Sequence, residues 1–88
     1  MKLNPEFVIQ EMGENSILVP IGDAAAKFHG VMQLNGTAAF IVNCLQKGNN
    51  EEEIKAALAD EYEGTEEEFT ESIQYMLEQL RDCGALIE

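Results

Sequence analysis

The chain has 88 residues, 45% of them apolar, and sets 17 acidic side chains against five basic ones for a formal net charge of −12. That length suits one domain with a single core and leaves too little chain for a deep catalytic cavity and its supporting shell. A field of this sign repels phosphates, which argues against nucleic acid and anionic membrane surfaces as partners and requires any charged partner to be basic.

Residues 7–12 (FVIQEM) read as a first strand, and Gly13, Glu14 and Asn15 supply a tight reversal. Residues 16–19 return as a second strand ended by Pro20, which has no N–H for a ladder. Residues 22–26 read as a connector, and residues 27–34 as a third extended segment. On it Phe28, Gly30, Met32 and Leu34 share one face, and Lys27, His29, Val31 and Gln33 the other. A glycine at position 30, inside that strand, marks a bulge or a close backbone approach.

From Gln33 onward the hydrophobic period changes from about two to about 3.6. Asn35 is placed to cap a helix whose Phe40, Ile41, Cys44 and Leu45 fall on one face, with Gly48 as its stop. A second helix starts at Asn50 with Glu53 in capping-box relation and runs through Ile54, Leu58 and Tyr62 to a stop at Gly64. The third starts at Thr65 with Glu68 in the same relation, and Phe69, Ile73, Met76, Leu77 and Leu80 form its apolar stripe. Gly84 is placed to cap it, and Ala85, Leu86 and Ile87 form a tail expected to fold back on the domain. The acidic triplets at 51–53 and 66–68 stand next to positive helix ends and read as solvated starts. Thirteen of the acids follow residue 49, against Lys55 and Arg81.

Catalytic chemistry finds no constellation here. A nucleophile needs a base within reach, and His29, the one histidine, is far in sequence from Cys44, Cys83 and any serine a helix would present. Two dispersed cysteines and one histidine assemble neither a disulfide framework nor a zinc site, and Cys44 reads as a small core hydrophobe. There is no glycine-rich phosphate loop. The chain is therefore expected to be no enzyme, with no catalytic residue, no metal and no cofactor. No apolar run reaches the roughly 20 residues of a membrane span, and residues 1–10 lack the features of a signal peptide, so a cytoplasmic location is expected.

Three strands followed by three helices, with a strand leading through Leu34 and Asn35 straight into an apolar helix, resemble the PqqD family. The resemblance runs through LNPEFVIQEMG at 3–13, FHGVMQLNGTAAFIVNCL at 28–45, EEEIKAAL at 51–58 and YMLEQLRDCGALIE at 75–88. The family is named for pyrroloquinoline quinone synthesis, and its fold recurs as the recognition element for ribosomally made, modified peptides. The resemblance implies an α+β, winged helix-turn-helix-like domain over residues 1–88, with a three-stranded antiparallel sheet followed by three helices. It also implies two partners: the leader of a precursor peptide, and a modifying enzyme of the radical SAM type to which the leader is presented. The leader would dock as an added strand on the third strand, its apolar side chains in the groove beside the third helix. Carried over by element position, the strand contributes Lys27, Phe28, His29, Gly30, Val31 and Met32. The helix contributes Phe69, Ser72, Ile73, Met76 and Gln79. The acidity of the helical half departs from what the family suggests, and leaves open whether the precursor is that of the quinone pathway or another peptide.

Strand addition takes its affinity from main-chain hydrogen bonds along an open edge and its specificity from pockets for alternate side chains. Gly30 lowers the steric cost of that approach, and Phe28, Val31, Met32, Ile73 and Met76 are placed to line pockets. A segment of about eight residues makes a small interface, so affinity near micromolar is expected. The open edge also allows either a monomer or a weak homodimer. Two other readings share the architecture: a subunit that docks through its third helix without reading a leader, and a DNA-binding winged helix. The second is opposed by Glu66, Glu67, Glu68, Glu71 and Glu78 on the helix that would enter the groove of DNA.

Overall fold

The computed structural model describes residues 1–28 and 30–87, so His29 and Glu88 lie outside the described residues. Among the described residues nine elements follow in order: β1 (Lys2–Leu3), β2 (Phe7–Met12), β3 (Asn15–Pro20), α1 (Asp23–Lys27), β4 (Met32–Leu34), α2 (Gly36–Gln46), α3 (Glu51–Glu61), α4 (Glu66–Asp82) and β5 (Leu86–Ile87). β2, β3 and β4 form an antiparallel sheet in that order, with Met12 opposite Asn15 across a two-residue turn and Leu18 opposite Met32. The hairpin and the three main helices stand where the sequence places them.

The helix starts follow from local chemistry. The Asn35 side chain accepts from the Ala38 N–H at 2.8 Å. Asn50 with Glu53 and Thr65 with Glu68 each form a reciprocal capping box, satisfying two backbone donors that no helical carbonyl reaches. Of the two acidic triplets, Glu53 and Glu68 are thus engaged in caps, Glu66 pairs with Lys55 at 3.2 Å, and Glu51 accepts from Gln74 at 2.9 Å. These contacts join α3 to α4 on the surface. The stronger tie is the core beneath them, where Ile41, Val42, Ile54, Leu58, Leu77 and Leu80 are each fully buried.

Three expectations need correction, and a fourth is met in an unexpected way. The connector at 22–26 is largely helical: Asp23–Lys27 is an alanine-rich turn with an acid at its start and a lysine at its end, and the Glu6 carboxylate accepts from the Asp23 N–H at 3.0 Å. Lys27 therefore ends a helix and does not begin a strand. The third strand is only Met32–Leu34, because Gly30 at φ +88° turns the chain out of the extended region before it. The second helix ends at Glu61, with Tyr62 already extended as its cap, ahead of Gly64. The tail does fold back, but it does so by pairing with a strand the sequence does not announce. β5 lies antiparallel to β1, Leu86 opposite Leu3, and the Asn4 N–H donates to the Ala85 carbonyl at 2.7 Å.

Candidate peptide-binding groove

β4 is the last strand of its sheet, so one of its edges has no strand partner among the described residues. The concave surface beside it is built by α4. Five residues of that helix, Phe69, Ile73, Met76, Leu77 and Leu80, are buried. A second row, Ser72, Met76 and Gln79, recurs at i, i+4 and i+7 beside the buried stripe, and Cys83, which caps the helix, continues it at i+11. Met76 belongs to both.

Two hollows flank β4 along this row. One, of about 280 Å³, is lined by Phe28, Gly30, Val31, Met32 and Cys83, with Phe7, Leu18 and Pro20 as its floor. It is apolar, and the Phe28 ring is held against Phe7 at a centroid distance of 5.8 Å. The other, of about 450 Å³, lies between the β4–α2 junction with the first turns of α2 and the middle of α4. Gln33, Asn35, Thr37, Ala38 and Ile41 line one side, and Glu71, Ser72, Tyr75 and Met76 the other.

The residues expected to bind peptide separate on this geometry. Phe28, Gly30, Val31 and Met32 come together at the apolar hollow, where Val31 is 56% exposed. Ser72 and Met76 line the second hollow. Gln79, half-buried, stands between them on the same row of α4. Lys27 is exposed at the end of α1 and lines neither hollow. Phe69 and Ile73 face elsewhere: the Phe69 ring lies over Gly64 at the turn between α3 and α4, and Ile73, 2% exposed, packs on the α3 side. His29 lies outside the described residues. Sequence reasoning passed over Gln33, Tyr75, Glu71 and Cys83. The last three follow from counting fours and threes from Ser72 and its neighbour, but only once the buried face of α4 is known.

A three-stranded antiparallel sheet with an open last strand, backed by three capped helices, defines a winged helix-turn-helix-like α+β domain. Residues 12–86 match the family described as Coenzyme PQQ synthesis protein D (PqqD), and the chain belongs to that family. Two solved structures share the fold. One is described as TbiB1 in complex with the TbiA(beta) leader peptide; it has a TM-score of 0.80 at 20% identity and covers 98% of this chain and 94% of its own. The other, a lasso peptide synthetase B1 complexed with the leader peptide, has a TM-score of 0.78 at 24% identity, with 99% and 96% covered. No curated protein matches the chain.

Proposed function

We propose that this domain is a non-catalytic peptide-binding adaptor. It takes the leader of a ribosomally made precursor peptide as an added strand on β4 and presents it, in the cytoplasm, to a modifying enzyme of the radical SAM type. The observation that carries the reading is the open edge of β4 lying between two hollows that α4 helps to wall. An extended peptide needs both features, unpaired main-chain groups to bond and pockets at alternate residues to fill. Family membership supports the role, as do the leader peptides bound in the two structures that share the fold. Among the described residues no helix is long and apolar enough to cross a membrane. The groove residues assigned are Phe28, Gly30, Val31, Met32, Ser72, Met76 and Gln79.

The test is an NMR titration of isotopically labelled protein with the leader of the short peptide encoded beside its gene. Amide shifts concentrated in residues 30–35 and along the Ser72–Cys83 row are expected. Val31→Glu, at an exposed position, should raise Kd at least about tenfold without altering the circular dichroism spectrum, since an unpaired carboxylate is costly in an apolar hollow. A folded protein that shows no shifts would sink the proposal and turn attention to docking on the neighbouring enzyme alone.

A further inference from the structure

The two hollows beside β4 differ in chemistry, and the difference says what the bound peptide must carry. Among the described residues, no charged side chain lines the hollow at Phe28, Val31, Met32 and Cys83. The other has, among the described residues, one charged group, Glu71, and a tyrosine four residues on, so both stand on one face of α4. Tyr75 is 63% exposed, which leaves much of a large ring open to a ligand. Glu71 is exposed and makes no ion pair among the described residues. Around them Gln33, Asn35 and Ser72 add polar atoms, and among the described residues no lysine or arginine lines the hollow.

A carboxylate beside an open aromatic face, ringed by neutral polar groups, fits a cation: the carboxylate accepts its hydrogen bonds, and the ring attracts its charge within about 6 Å. The surroundings repeat the sign. Glu71, Tyr75, Glu78 and Asp82 recur at i, i+4, i+7 and i+11, all exposed, forming a rim of three acids and one ring parallel to the Ser72–Cys83 row. With a chain charge of −12, this rim favours a basic ligand over any other.

We infer that the peptide taken by this groove carries a lysine or arginine that seats between Glu71 and Tyr75, with an apolar residue in the Phe28–Cys83 hollow. Gly30, Val31 and Met32 reach one hollow and Gln33 and Asn35 the other. At about 3.3 Å per residue of extended chain, the two anchors therefore stand about two to four residues apart. This inference rests on the leader-binding reading and adds to it the chemistry of the ligand.

The experiment uses the fluorescein-labelled leader of the precursor encoded beside the gene, with Kd read by anisotropy at about 50 and about 300 mM salt, a range that shortens the screening length about 2.5-fold. Glu71→Gln and Tyr75→Ala are each expected to weaken binding by about three- to tenfold, an exposed ion pair and a cation–π contact being individually modest. Glu71→Gln should also flatten the salt dependence. Replacing the leader's basic residues by glutamine one at a time should reveal one whose loss costs wild-type affinity but adds nothing to Glu71→Gln. Equal binding and equal salt dependence in wild type and Glu71→Gln, with Val31→Glu still weakening the complex at least about tenfold, would overturn the cation seat and leave strand addition standing. A leader that does not bind the wild-type protein overturns both.

Discussion

Gly84→Ala should loosen the domain and its groove together, because Gly84 lies where the end of α4 meets the wall of the apolar hollow. The residue has φ +79°, and beyond it the Ala85 N–H donates to the Leu80 carbonyl at 2.8 Å, closing the last turn of α4 before the chain enters β5. A methyl group at this position would come within 2.7 Å of Phe28 Cε2. Two costs add. Holding alanine in the left-handed region costs about 1 to 2 kcal/mol, and displacing a packed ring costs about 1 to 3 kcal/mol. Their sum, about 2 to 5 kcal/mol, is a large part of the roughly 4 to 13 kcal/mol that a domain of this length has. Urea unfolding of wild type, Gly84→Ala, Phe28→Ala and the double variant separates the two costs. In the Phe28→Ala background the ring is gone, so Gly84→Ala should cost only the backbone part, leaving a coupling of about 1 to 3 kcal/mol. Leader affinity should fall in Gly84→Ala because Phe28 lines the hollow. An equal cost in both backgrounds would refute the ring contact, and no cost in either would refute the backbone argument as well.

Other outcomes follow from the division of α4 into rows. Ile73→Ala should cost about 2 to 4 kcal/mol of stability, as for a buried aliphatic cut to alanine, while the folded protein keeps its leader Kd; Gln79→Ala should do the reverse. Asn50→Ala and Thr65→Ala should each cost about 1 kcal/mol in thermal or urea unfolding through loss of a cap, with leader affinity unchanged. Cys83 is half-buried and lines the apolar hollow, whereas Cys44 is buried in the core. Iodoacetamide followed by mass spectrometry should therefore modify Cys83 first, and bound leader should slow that reaction. Faster modification of Cys44 would place the hollow elsewhere.

Much of this fold is written in short-range chemistry. Asn35, Asn50 and Thr65 mark their helix starts because a cap acts within three residues, and the β2–β3 hairpin is marked by Gly13 and Glu14 between alternating runs. The parts that escape depend on distant chain. β1 and β5 are two residues each and exist because Leu3 and Leu86 meet across the whole sequence, a pairing no local pattern encodes. α1 is too short to show a period, and its start is completed by Glu6, seventeen residues earlier. In the site, the apolar period of α4 gives the stripe but not the direction in which the sheet lies. Phe69 and Ile73 therefore look as suited to a groove as Met76 does, until Phe69 is seen over the turn at Gly64 and Ile73 on the α3 side. Tyr75 and Glu71 look like solvent-facing residues for the same reason.

An open strand edge invites a second copy of the same chain as readily as a peptide, and three features of this protein weigh against the copy. β4 is only three residues long, and Gly30 breaks the extended backbone ahead of it, so two copies joined edge to edge would share few ladder bonds. The chain charge of −12 then sets each copy against the other at close range. A basic peptide meets the same short edge but not the charge repulsion. It pairs along the same few residues, adds side-chain contacts in both hollows, and is attracted by the acids on the rim of α4. On this argument the acidity of the helical half is part of how the groove selects its ligand. Neutralising the rim should therefore do two things at once, weakening the leader complex and raising self-association in sedimentation. A rim variant that loses leader affinity yet stays as monomeric as wild type would show that the short edge alone keeps copies apart.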